Sequence, residues 1–161
     1  MKPWIWWGAA TAIALLDQSI KLLVQTNLAY AQAIPVTPFF NLVHVWNEGA
    51  AFSFLADAGG WQRWFFIALT TGVSAWLAWA LRKPRARLEA ASYCLILGGA
   101  LGNLADRVFR GYVVDLLDVH WGGWHWPAFN AADMAISCGA FLLVFASTRV
   151  KEPQRRIGQV R

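Results

Sequence analysis

Charge is what this 161-residue chain has least of. Only 14% of its residues are Asp, Glu, Lys or Arg, against a hydrophobic share of 58%, where soluble domains carry roughly 25% charged residues. A water-soluble all-helical protein would need a charged surface over this much apolar residue, and the charge is missing. Cysteine is scarce too. Cys94 and Cys138 stand alone in apolar runs with no CxxC partner, which excludes a disulfide scaffold; a buried free Cys acts mostly as a small hydrophobe. His44, His120 and His125 are the three histidines. Even with Asp118 nearby they show no HExxH or other ligand spacing, so no metal and no cofactor are expected. No serine lies in a GxSxG context, and the glycines of GGALG sit inside an apolar run, not in a phosphate-binding loop.

Apolar runs and aromatics are plentiful. Eleven Trp favour a membrane interface. Four runs, at about 4–24, 64–81, 88–106 and 128–148, are suited to crossing a bilayer. The second is short, but 18 residues at about 1.5 Å each reach about 27 Å, and neighbouring residues close the gap. The first is not a secretory signal: Asp17 and Lys21 interrupt it and no clean small-residue cleavage pattern follows. Four apart, those two can pair on one helix face, with Lys21 reaching toward the far interface. Gly98 and Gly102 form a GxxxG step that permits close helix contact.

The expected fold is an all-α polytopic membrane protein, a single domain over residues 1–161. It has four transmembrane helices and a small β-rich segment at about 35–60 between helices 1 and 2. There, Leu42–Trp46 is β-prone, Asn47-Glu48-Gly49 signals a turn, and Ala50–Phe54 is expected to return as a second strand. Tyr112–Val114 reads as a short extended run ending at Asp115. Residues 116–127 read as a Trp-rich interfacial loop, and the tail RVKEPQRRIGQVR as basic and frayed.

Four spans put both termini on one side. That side collects ten of the fourteen Lys and Arg, among them Lys2 and the RKPRAR loop at 82–87; the other holds Lys21, Arg63, Arg107 and Arg110. The positive-inside rule makes the first side cytoplasmic. It also accounts for the net charge of +5 without a nucleic-acid partner. The polar residues Asn47, Asn103, Asp106, Asp115, Asn130 and Asp133 then all fall toward the outer side.

Carboxylates in an apolar setting are costly and are functional candidates by default. Asp115 and Asp133 suit a pair in which one carboxyl keeps its proton and the other takes one from water, which is peptide hydrolysis without a covalent intermediate. Asn103 with Asp106, and Asn130 with Asp133, are each three apart and share a helix face. Asn103, Asp106, Arg107 and Asn130 suit a supporting shell, with Asp106 and Arg107 balancing charge. An interhelical polar network remains the alternative for all of these residues, as does a non-enzymatic membrane-assembly or transporter subunit using Asp17, Asp106 and Asp133 as a relay.

The motifs resemble those of the bacterial lipoprotein signal peptidases, or signal peptidase II. They are Asp17-Gln18 with Lys21, Asn47-Glu48-Gly49-Ala50-Ala51-Phe52-Ser53, GGALGNLADRVFRGYVVD ending at Asp115, and Pro127-Ala128-Phe129-Asn130-Ala131-Ala132-Asp133. The resemblance covers nearly the whole chain. It implies an inner-membrane aspartyl endopeptidase that cleaves a diacylglyceryl-modified prolipoprotein just before its lipobox cysteine. It makes Asp115 and Asp133 the catalytic pair. Asn47, Gly49, Asn103, Asp106, Arg107 and Asn130 become the polar set around them, supported by Asp17 and Lys21, and the 35–60 segment becomes a periplasmic β-cradle. The implied partners are the lipid-modified substrate and membrane phospholipid, for a monomer. The YD and GxGD signatures of other intramembrane aspartyl proteases are absent.

Overall fold

Pro3 opens the first helix at a position where its missing N–H costs nothing. In the computed structural model, which describes residues 2–49 and 59–148, the elements run α1 Pro3–Asn27, β1 Ala33–Thr37, β2 Phe40–Asn47, α2 Trp61–Ala80, α3 Arg87–Phe109, β3 Val113–Trp121, β4 Trp124–His125 and α4 Ala131–Thr148. The helices α1, α3 and α4 are each long and apolar enough to cross a membrane. The fourth expected span corresponds to α2, whose first turn holds Gln62 and Arg63 among tryptophans.

The central helix is α3, which packs against α1, α2 and α4. Small residues let it do so. A Cβ on Gly98 would lie 2.7 Å from Ile13 Cβ in α1, and one on Gly99 would lie 2.3 Å from the Ala132 carbonyl oxygen in α4. Gly102 turns toward Asp17, and Gly139 of α4 sits against Ser92 and Ile96. Close contact was expected from Gly98 and Gly102; Gly99 adds the opposite face. The far halves of α1, α2 and α3 close over a core of Ala10, Leu77, Ala80, Tyr93, Cys94 and Leu97. Outward, Leu15, Leu22, Leu23, Trp76, Phe141 and Val144 are exposed, the surface a bilayer covers.

One antiparallel sheet runs β1-β2-β3-β4. This corrects two expectations. The β-rich part is not confined to the connection between α1 and α2, because β3 and β4 come from between α3 and α4. Residues 116–121 are not loop but the second half of β3, which pairs with β2 from Phe40↔Val119 to Asn47↔Val113. The partner strand is about seventy residues away, so nothing local announces it. At the tip, Gly122 and Gly123 have φ of 57° and 85°, the pair of positive angles a two-residue primed hairpin turn requires. Pro35 lies in the edge strand β1, where a missing donor is tolerated. The return strand expected at Ala50–Phe54 and the tail from residue 149 lie outside the described residues.

Candidate active site

The strand β3 leaves the end of α3 and carries Asp115 opposite Val45 of β2. The helix α4 starts nearby with Asn130 before its first residue and Asp133 in its first turn. Asn130 and Asp133 form a reciprocal cap: the Asp133 N–H donates to Asn130 Oδ1 at 2.9 Å, and the Asn130 N–H donates to Asp133 Oδ2 at 3.2 Å. The Asn130 side chain still has its amide N–H2, which donates to Asp115 Oδ1 at 2.7 Å. A single asparagine therefore bonds both carboxylates. The remaining oxygens are held from other elements. Asn47 Nδ2 of β2 donates to Asp115 Oδ2 at 3.0 Å, and Asn103 Nδ2 of α3 donates to Asp133 Oδ1 at 2.8 Å.

Asp115 is only 2% exposed, whereas Asp133 is half-buried. Burial, then the neighbouring Asp133 charge, push the Asp115 carboxyl up to about 7, against the opposing pull of the Asn47 and Asn130 amides and Lys21. It is thus poised to carry a proton near neutrality.

Behind the pair lies a buried ion cluster. Lys21 Nζ sits 2.8 Å from Asp17 Oδ2, 2.7 Å from Asp106 Oδ2 and 2.9 Å from Asn103 Oδ1, so all three of its donors are matched. The expected Asp17–Lys21 pairing is present, but Lys21 does not reach for an interface: it is fully buried and turned into α3. Asn103 links this lysine to Asp133. Asp17 Oδ1 accepts the Ala132 N–H at 2.9 Å, fixing the start of α4 to α1. Asp106 Oδ2 also accepts the Val114 N–H at 3.2 Å, fixing the residue before Asp115.

Asp106 is balanced by Lys21 and by Arg110, not by Arg107 as expected. An i,i+4 partner is placed on the same helix face, while the adjacent residue points elsewhere. Arg107 turns the other way: its Nη2 donates to the Gly49 carbonyl at 2.7 Å and its guanidinium lies 5.1 Å from the Phe66 ring centre. Gln18 was read only as added polarity. It donates to Asp106 Oδ1 at 2.9 Å and to the Gly102 carbonyl at 3.0 Å, and accepts from Arg110. Its signal was its place one residue after Asp17 on an otherwise apolar helix. Arg63, which donates to the carbonyls of Arg107 and Val108 at the end of α3, had no such signal. Among the described residues no cluster could hold a metal ion. His125 and Asn41 instead bond Asp118, and those bonds hold its carboxyl below the usual range against the opposing effect of burial.

Known proteins resemble the chain as a whole. A family model described as signal peptidase (SPase) II matches residues 9–149. A lipoprotein signal peptidase of Serratia marcescens is 53% identical over 147 residues, 91% of this chain and 86% of that protein. One from Cupriavidus taiwanensis is 52% identical over 148 residues, 91% and 84% of the two chains. A solved structure described as a bacterial membrane enzyme superposes with a TM-score of 0.82 at 28% identity, covering 98% of this chain and 94% of its own.

Proposed function

The chain belongs to the signal peptidase II family, and from that premise we propose how its residues do the work. It is a multi-span inner-membrane peptidase of the aspartic type that removes signal peptides from prolipoproteins. The finer reading makes Asp115 and Asp133 the catalytic pair, four helices the spans, and a diacylglyceryl-modified lipobox the cleavage region, cut just before its cysteine.

The pair titrates as a unit. Asp115, deeply buried, keeps the proton and donates it to the scissile carbonyl oxygen. Asp133, more open, takes a proton from the water that attacks the carbonyl carbon. As the tetrahedral intermediate collapses the C–N bond breaks. Asp133 returns its proton to the leaving nitrogen and Asp115 recovers one from the former carbonyl oxygen. Asn47, Asn103 and Asn130 keep all four carboxylate oxygens oriented through these steps. Asp17, Lys21 and Asp106 fix the elements that carry them. Gly49 and Arg107 tie the segment after β2 to α3. No cofactor enters.

The observation that carries this reading is Asn130 bonding both carboxylates at once. Its test is cleavage of a prolipoprotein, with and without its diacylglyceryl group, by wild type, D115N and D133N in lipid without added metal. Cleavage of the lipidated form alone, lost in both folded variants, is the expected result. Normal cleavage by folded D115N would remove the dyad, and equal cleavage of both forms would remove the lipid requirement.

A further inference from the structure

The end of the helix bundle remote from Asp115 carries charge that the peptidase chemistry does not use. The helix α2 ends at Ala80, Pro84 bars its continuation, and α3 begins at Arg87. The connection gathers Arg82, Lys83, Arg85 and Arg87, which together with Pro3 and Trp6 line a pocket of about 140 Å³. Among the described residues one of these four bases has an acidic partner, Arg85 with Glu89. Aromatic faces hold others: the Arg82 guanidinium lies 5.9 Å from the Trp7 ring centre and the Lys83 ammonium 4.4 Å from that of Trp79. The helices α1 and α3 both begin here, and neither Lys2 nor Ala86 makes a side-chain capping bond, so two positive helix ends add to the field.

An apolar groove of about 380 Å³ runs on from Trp7 between α1 and α2, over Ala10, Ala75, Ala78 and Leu97. Ser74 also lines it, and its hydroxyl is buried without a hydrogen-bond partner. A purely apolar filler leaves that donor unpaired; an ester carbonyl satisfies it.

We propose that pocket and groove together bind one anionic phospholipid of the membrane, its phosphate among the bases and an acyl chain along the groove. Charge complementarity selects the headgroup, since arginine forks match phosphate oxygens. The adjoining apolar groove selects a lipid over a free anion. The proposal is independent of the catalytic reading.

The test uses the full chain in neutral detergent, titrated with phosphatidylglycerol, phosphatidylcholine or inorganic phosphate, with retained lipid counted by intact-protein mass spectrometry. One phosphatidylglycerol is expected to remain bound to wild type. R82Q/R87Q is expected to bind it about 25-fold more weakly, at about fivefold per base, with prolipoprotein cleavage in neutral lipid unchanged. Ala75→Leu, which narrows the groove at an exposed position, is expected to weaken it as well. Equal retention of phosphatidylcholine, or undiminished retention by R82Q/R87Q, would overturn the site. Displacement by inorganic phosphate with no effect of Ala75→Leu would overturn the lipid as its ligand.

Discussion

Asn130 caps its own helix with its side-chain oxygen and backbone N–H while its side-chain N–H2 reaches Asp115. Removing it with N130A is expected to lower kcat/KM by roughly 10²-fold, the usual cost of one oriented donor. Losing a donor to the carboxylate also disfavours its ionised form, so the alkaline limb of the pH–rate profile moves up. In wild type that limb is expected to report the proton on Asp115, with kcat/KM falling as pH rises through about 7. Stability follows the same sign. The folded value lies above the ordinary Asp value of about 3.9, so the folded chain holds this proton more tightly than the unfolded one. The contribution is complete below about pH 3.9 and is lost as pH rises toward 7. Thermal unfolding from pH 4 to 8 checks it: wild type should lose stability across that range and D115N should show a flatter profile. The residue types were legible in the sequence, because intramembrane carboxylates and amides stand out against an apolar background. Which atom faces which was not, and Arg107 shows why: its neighbour Asp106 takes Arg110, one turn on.

The contact of α3 with α4 leaves no space for added atoms at Gly99. G99A would put a methyl against the Ala132 backbone, directly before Asp133, and is expected to destabilise the protein by about 1–3 kcal/mol and to lower activity with it. G72A, at a position with open space around it, should do neither; unfolding in detergent compares the two. Lys21→Met is expected to cost about 3–5 kcal/mol, because Asp17 is left buried without its cation and Asp106 keeps only Arg110. The helices could be read from the length of the apolar runs. Most of the sheet could not: β2 was foreseen, but β1 at Ala33–Thr37 was not, and β3 acquires its structure from β2, so that a sequence of Trp, His and Gly at its far end looks like a loop until the partner strand is present.

Across the whole molecule the bases collect at one end of the helices and the carboxylate pair at the other. With four spans, P84C and G123C lie on opposite sides of the membrane. An impermeant thiol reagent applied to sealed inverted vesicles is expected to label P84C and to spare G123C and V36C, the last at an exposed position between α1 and α2; labelling of both V36C and P84C from one side would refute α2 as a span. The expected topology rests on charge count alone, because it depends on where bases fall and not on how side chains pack. The Lys21 cluster has a consequence for biosynthesis. When α1 emerges from the ribosome its Asp17 and Lys21, one turn apart, can neutralise each other and lower the cost of placing both in the bilayer. Asp106 arrives about ninety residues later and needs that same lysine, and the Ala132 N–H claims the other oxygen of Asp17 later still. The order of translation is thus also an order of assembly, in which a local ion pair accompanies the first helix and is then extended into the finished centre.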